Sequence, residues 1–164
     1  TVRGQSPPDY GYQLRRLVHR VDQDGGGEPS RVCLRDLGSG TTHDRRGGRI
    51  INVGSRGGAF RGEPEHPAYG ATKAAVHALG QSLAIGLAPR GIAVSSVAPG
   101  FVSSERQQPK LNSEEGTALR QQSPLGRVGT PAEVAAAIVY LASPEAEWAT
   151  GTILDLNGAS HLRT

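Results

Sequence analysis

The feature that most constrains the fold is a strand–helix–strand run between residues 49 and 97. Residues 50–53 form a short β-branched run between glycines, which is typical of a buried strand. Apolar residues then recur at spacings of three and four, which predicts a helix over residues 68–88. Residues 92–97 predict the next strand. Two strands joined by a helix of this length lie parallel, so the run predicts a right-handed crossover.

A second helix and a third strand extend this unit. Thr130 is placed as the N-cap of a helix, Pro131 occupies its first position, and Glu133 completes a capping box. Residues 152–156 predict a further strand. The order β-α-β-α-β predicts a layered α/β fold with a parallel sheet. Three such strands would leave the 50–53 edge unpaired.

Composition divides the chain into two parts. Residues 1–48 are rich in Arg, Gly, Asp and Pro and hold few apolar residues, so we expect a poorly specified or disordered segment there. Residues 49–164 form the α/β unit. The chain has 164 residues, which is long enough for one domain, but its apolar content of only 36% suggests that part of it is not packed.

Several classes of function are disfavoured. One cysteine, Cys33, allows no internal disulfide, which fits the reducing cytoplasm. No apolar run approaches the roughly 20 residues that span a bilayer, and no signal-peptide pattern opens the chain, so we expect a cytoplasmic protein without membrane contact. The net charge of +3 comes from scattered arginines, and we expect no nucleic-acid partner. His19, His43, His66 and His77 lack metal-ligand spacing, so surface or loop roles are expected for them and no metal site is predicted.

The chemistry is indicated by Tyr69 and Lys73, which stand one helical turn apart and so share a helix face. An ammonium beside a phenol favours the phenolate, which is suited to general acid–base chemistry. Ser55 follows the first strand, and Pro99 and Gly100 end the second. In open parallel sheets the carboxyl ends of the strands meet at one edge, so these features are predicted to lie together. Taken alone, the pair would more simply be an exposed helical pair.

These motifs closely resemble the short-chain dehydrogenase/reductase family. Residues 48–55 resemble its fifth strand with the catalytic serine, and Tyr69-x-x-x-Lys73 is similar to its Tyr-x-x-x-Lys pair. Residues 97–102 resemble the sixth strand with its cofactor turn, and residues 150–158 resemble the last strand. The resemblance implies an α/β, Rossmann-like parallel sheet of which the last three strands and their helices are recognisable.

The resemblance also implies catalytic roles. Tyr69 would be the general acid/base, Lys73 would stabilise its phenolate and bind the nicotinamide ribose, and Ser55 would orient the substrate carbonyl or alcohol. The implied activity is NAD- or NADP-dependent oxidation or reduction of a small-molecule alcohol or carbonyl compound.

The resemblance also implies which residues contact the cofactor. Tyr69 and Lys73 would hold the ribose, Pro99 and Gly100 would pack on the nicotinamide ring, and Val102 would offer backbone contacts to the carboxamide. Ser104 stands where the family usually has a threonine. The family habit of association implies a homo-oligomer.

The chain departs from the family pattern in its first part, where no convincing Gly-rich phosphate turn appears. Gly38-Ser39-Gly40 is the nearest candidate. Loss of the dinucleotide-binding half would impair activity, so a non-catalytic remnant serving as an association or scaffold module is the alternative. The interval from Ser55 to Tyr69 is one residue longer than is usual in the family, and the extra residue would either relax into the loop or displace Ser55. Trp148 is interpreted as a packing residue near the last strand.

Overall fold

The computed structural model describes residues 33–34, 47–61 and 64–162. The prediction of a poorly specified segment over residues 1–48, like the candidate phosphate turn at residues 38–40, falls almost entirely outside these residues and stays a prediction. Within the described part the chain forms one α/β unit.

The sheet has four strands in the order β1-β2-β3-β4: β1 (Cys33–Leu34), β2 (Gly48–Val53), β3 (Ile92–Pro99) and β4 (Ile153–Leu156). The last three run parallel, which confirms the predicted α/β fold with a parallel sheet. The expectation of an unpaired edge was wrong, because β1 pairs antiparallel with β2 opposite Ile50–Ile51. Two residues are too few to carry a strand pattern in the sequence.

The two predicted helices are present with nearly the predicted bounds. Helix α1 (Pro67–Leu87) joins β2 to β3, and its first position is a proline. Helix α4 (Pro131–Leu141) has the predicted capping box: Glu133 N–H donates to Thr130 Oγ1 at 3.2 Å, and Thr130 N–H donates to Glu133 Oε2 at 2.8 Å.

Helices cover both faces of the sheet. Ile50 and Val94 pack with Leu83 and Leu87 of α1, whereas the neighbouring Ile51 packs with residues of the other cluster. That second cluster also contains Val97, Leu141 of α4 and Ala146. Alternate residues along a strand point to opposite faces, so α1 and α4 lie on opposite sides of the sheet.

The segment between β3 and α4 contains short helices. They are a 3₁₀ turn (Glu105–Gln107), α2 (Gln108–Leu111) and α3 (Glu114–Gln121). Each buries at most one residue, so no repeating apolar stripe marks them in the sequence. The last 3₁₀ helix, Pro144–Ala149, carries Trp148, whose side chain is 99% exposed. Its interpretation as a packing residue was therefore wrong for this chain by itself.

Candidate active site

Ser55 lies directly beyond the carboxyl end of β2. Gly54 N–H donates to Val97 O of β3 at 2.9 Å and so continues the parallel ladder up to Ser55. The Ser55 hydroxyl oxygen accepts a hydrogen bond from Gly57 N–H at 3.3 Å. This contact orients the hydroxyl so that its hydrogen can be donated to another oxygen.

Tyr69 and Lys73 lie in the first two turns of α1, beside the same strand end. Lys73 Nζ lies 5.7 Å from the centre of the Tyr69 ring, within the range of a cation–π contact. The same ammonium donates to Val53 O, the last carbonyl of β2, at 3.3 Å. Lys73 therefore connects the Tyr69 ring to the strand that leads to Ser55. The Tyr69 side chain is 47% exposed, so its hydroxyl is accessible to a small molecule.

The loop that joins Ser55 to α1 is packed tightly against the helix. A five-residue π-helix occupies Gly57–Arg61, a form that accommodates an extra residue per turn and occurs often at functional sites. A Cβ built at Gly58 would overlap the backbone of Lys73 and Ala74, so only glycine permits this approach.

His77 is a site residue that sequence reasoning missed. It was expected at the surface or in a loop, but only 3% of it is exposed. Its Nε2 lies 3.1 Å from Ser55 O and 3.4 Å from Ser55 N. The spacing Tyr69, Lys73, His77, with one residue per helical turn, is the signal that could have found it.

The predicted cofactor turn lies at the end of β3, next to β2. Gly100 N–H donates to Leu156 O at 3.0 Å, and a Cβ on Gly100 would lie 2.9 Å from Asn157 Cα. Beyond it, Val102 pairs with Gly129 in an isolated parallel bridge. Ser104 is half-buried, and its backbone N–H donates to Val102 O at 2.9 Å. The structure thus brings Pro99, Gly100, Val102 and Ser104 to the same edge of the sheet as Ser55.

A cavity of about 260 Å³ opens beside these strand ends. Arg56, which directly follows Ser55, donates to Ser160 Oγ and to Gln122 Oε1, both at 2.5 Å, and so connects the Ser55 loop with α3's C-terminal end and the segment after β4. Its role could not be foreseen, because neither acceptor lies near Arg56 in the sequence. The wall also includes Phe101, Leu119, Leu125, Val128, Leu156, Asn157 and Asp155.

One ion pair stands at the cavity wall. Arg127 pairs with Glu133 through two hydrogen bonds, 2.6 and 2.9 Å long. These bonds raise the pKa of Arg127 and, together with those from Thr130, lower the pKa of Glu133 to about 2. The pair fixes the loop before α4 at the start of that helix.

Residues 33–34, 47–61 and 64–162 contain no group of three His, Cys, Asp or Glu side chains that could hold a metal ion. In the same part of the chain, no helix has both the length and the apolar character needed to cross a bilayer.

Comparison with protein families gives a match over most of the chain. A family model described as enoyl-(acyl carrier protein) reductase matches residues 36–161. The chain is 44% identical over 118 residues to the 3-oxoacyl-(acyl-carrier-protein) reductase FabG of Vibrio cholerae, covering 72% of this chain and 48% of that protein. It is 40% identical over 149 residues to galactitol 2-dehydrogenase (L-tagatose-forming) of Cereibacter sphaeroides, covering 87% of this chain and 55% of that protein. The chain spans about half the length of the curated relatives it matches.

Solved structures agree with these relatives. A short-chain dehydrogenase/reductase from Brucella melitensis, titled a glucose/ribitol dehydrogenase, superposes with a TM-score of 0.65 at 31% identity, covering 70% of this chain and 46% of that one. A structure of ElxO with NADP bound superposes with a TM-score of 0.64 at 32% identity, covering 68% of this chain and 46% of that one. The described part of the chain therefore has the α/β Rossmann fold over about half the length of such a structure.

Proposed function

This chain belongs to the short-chain dehydrogenase/reductase family, and from that premise we propose that it carries the catalytic half of an oxidoreductase that uses NAD or NADP. The substrate class is a small molecule with a carbonyl or alcohol group. The observation that carries the proposal is the position of Lys73, whose ammonium contacts both the Tyr69 ring and the end of the strand leading to Ser55. The 3-oxoacyl-(acyl-carrier-protein) reductase and the galactitol 2-dehydrogenase among its relatives both support carbonyl–alcohol chemistry.

The donor groups at this edge fit the nicotinamide and ribose part of a dinucleotide. An ammonium and a phenol suit ribose hydroxyls, and the turn at Pro99 and Gly100 offers a surface beside them. Val102 and Ser104 would contact the carboxamide side. Within the described residues no G-x-G-x-x-G pattern follows a strand, so the fit covers this half of the cofactor only.

In the proposed reduction, the Ser55 hydroxyl donates a hydrogen bond to the substrate carbonyl oxygen and polarises it. A reduced nicotinamide held by Lys73 and the Pro99–Gly100 turn would supply the hydride for the carbonyl carbon and would itself be oxidised. As the carbon accepts the hydride, Tyr69 transfers its phenolic proton to the carbonyl oxygen, so the C=O double bond becomes a C–O single bond and an alcohol forms. Lys73 stabilises the phenolate that remains until a solvent proton replaces the one transferred. Oxidation follows the same steps in reverse.

Cofactor titration and turnover test the proposal. NADH or NADPH fluorescence should change saturably on addition of the chain, and absorbance at the reduced-nicotinamide band should fall with a 3-oxoacyl thioester or a keto-sugar as substrate. Tyr69→Phe should lower the turnover about 100-fold or more while binding persists, because the proton donor is lost. Ser82→Ala is the matched control, since Ser82 faces solvent on α1 and bonds only Ala78 O. Saturable binding without turnover, unchanged by Tyr69→Phe, would contradict an oxidoreductase.

A scaffold or association module is the second candidate, and the exposed Trp148 favours it. Val139 and Tyr140 on α4 are also exposed, and β4 is the outer strand of the described sheet. We propose that a second copy of this chain covers these exposed residues, and the resulting homo-oligomer is expected for the oxidoreductase and for the scaffold module alike. Sedimentation of the wild type and of Trp148→Ser tests it, and a monomer in both cases would refute it.

Three further expectations belong with this proposal. We expect a cytoplasmic location, which fractionation of cells expressing the chain would test. We expect no binding to nucleic acid, which a mobility-shift assay would test. We expect residues 1–48 to be poorly ordered and residues 49–164 to be the folded half, which limited proteolysis would test.

A further inference from the structure

His77 completes a row of three polar side chains along α1. Tyr69, Lys73 and His77 are spaced by one helical turn each, and their exposure decreases from Tyr69, at the open edge, to His77, which is buried. Lys73 reaches Val53 O and His77 reaches Ser55 O. The helix therefore contacts the end of β2 at two carbonyls, one on each side of Gly54.

Close packing fixes the imidazole in place. The three atoms nearest to a Cβ built at Gly54 are all atoms of the His77 ring, and all lie at 3.0 Å or less. No side chain larger than hydrogen would fit between the ring and the strand. The ring thus has little freedom to move away from Ser55.

The distances indicate which bond the ring makes. Nε2 to Ser55 O is 3.1 Å, a normal length for an N–H donor, whereas 3.4 Å to Ser55 N is long for an acceptor. The same carbonyl accepts Gly58 N–H at 3.2 Å and Ala59 N–H at 3.1 Å. With Nε2 protonated, three donors hold this one oxygen.

We propose that His77 is a positioning residue for Ser55: its Nε2–H donates to Ser55 O and fixes the peptide that carries the proposed substrate-orienting hydroxyl. The inference rests on the proposed function for the role of Ser55. Rotation of this peptide would swing the hydroxyl, and displacement of a reacting group by about 1 Å can cost about 100-fold in rate. The bond to His77 opposes that rotation from the helix side, whereas Gly58 and Ala59 oppose it from the loop side.

Two substitutions separate the bond from the packing. The amide nitrogen of Gln occupies the place of Nε2, and that of Asn occupies the place of Nδ1. His77→Gln should therefore keep the Gly58 and Ala59 amides protected from hydrogen exchange as in the wild type. His77→Asn should speed their exchange about 10-fold or more.

Turnover supplies a second readout. His77→Asn should lower kcat about 10-fold or more with KM nearly unchanged, because the hydroxyl is misplaced and the site is otherwise intact. His77→Gln should stay within about threefold of the wild type. If the wild type itself has no turnover, the proposed oxidoreductase function fails, yet the exchange measurement still tests the positioning role.

A measurement on the unsubstituted chain covers the case in which His77→Asn does not fold. Nitrogen chemical shifts of the His77 ring should show a protonated Nε2, and a bare Nε2 would overturn the proposal. Equal exchange rates in His77→Gln and His77→Asn would overturn it as well, since Nε2 would then not be the determining atom.

Discussion

Gly58 offers a direct test of how the Ser55 loop is held against α1. A Cβ at this position would lie 2.5 Å from Ala74 N and closer still to the Lys73 backbone, whereas ordinary contacts begin at 3.4 Å. In Gly58→Ala the loop must therefore retreat by about 1 Å from the helix at Lys73. Forced overpacking of this kind costs about 1–3 kcal/mol. For a domain of this size, roughly 4 °C of melting temperature is lost per kcal/mol, so we expect a decrease of about 4–12 °C.

The assay is thermal unfolding followed by circular dichroism, with Gly48→Ala as the matched control. Gly48 begins β2 at the opposite end of the strand, and a Cβ there would meet only Ile92 Cγ1 at 3.6 Å and Cγ2 at 3.9 Å. The control should melt within about 2 °C of the wild type. In Gly58→Ala the amide resonances of Ser55 and Lys73 should also shift. A melting temperature equal to that of Gly48→Ala, with those resonances unmoved, would refute close packing between the π-helix and α1.

Three further predictions concern α4. Leu141 is 2% exposed, so Leu141→Ala should lower the free energy of unfolding by about 2–5 kcal/mol. Val139 is 70% exposed, so Val139→Ala should lower it by less than about 0.5 kcal/mol. Urea unfolding of the two variants measures the difference. Thr130→Ala should cost about 0.5–2 kcal/mol by loss of the N-cap and Thr130→Ser should restore it, so equal losses in both would contradict the capping role. Because the pKa of Glu133 is lowered to about 2 from 4.5, its ionised form stabilises the fold fully above pH 4.5, and that contribution is lost as the pH falls through about 2. The melting temperatures of wild type and Glu133→Gln should accordingly converge on acidification, and a constant difference from pH 7 to pH 2 would contradict the ion pair with Arg127.

Features that depend on neighbours in the sequence could be predicted well. The α4 N-terminus was predicted to the residue, since Thr130, Pro131 and Glu133 form a local hydrogen-bonded unit. The parallel pairing of β2 and β3 could be predicted because one long helix joins the two strands. The location of Ser55 and Lys73 at the same edge of the sheet could then be predicted, because the carboxyl ends of parallel strands lie at one edge.

Features that depend on contacts between distant segments could not be predicted. The one-turn spacing after Tyr69 and Lys73 places His77 on the same face of α1, but its burial follows from Gly54 lying against its ring, and that contact is between distant segments. β1 pairs through two residues only, too few for an alternating pattern. Trp148 was predicted to be packed because an aromatic residue near a strand is usually buried. In this chain by itself it is exposed.

Cofactor binding should depend on which half of the dinucleotide is recognised. All the proposed contacts, from Tyr69 and Lys73 to Ser104, lie on the nicotinamide side, and the described residues contain no G-x-G-x-x-G pattern after a strand. Since adenosine and its phosphates would then add little binding free energy, reduced nicotinamide mononucleotide should bind within about threefold of NADH. Lys73→Met should weaken both ligands equally, because the ribose beside the nicotinamide is common to them. NADH binding more than about 30-fold tighter, worth about 2 kcal/mol, would contradict this reasoning and would assign an adenosine site to residues outside the described part. A Lys73→Met effect on NADH alone would contradict the proposed ribose contact.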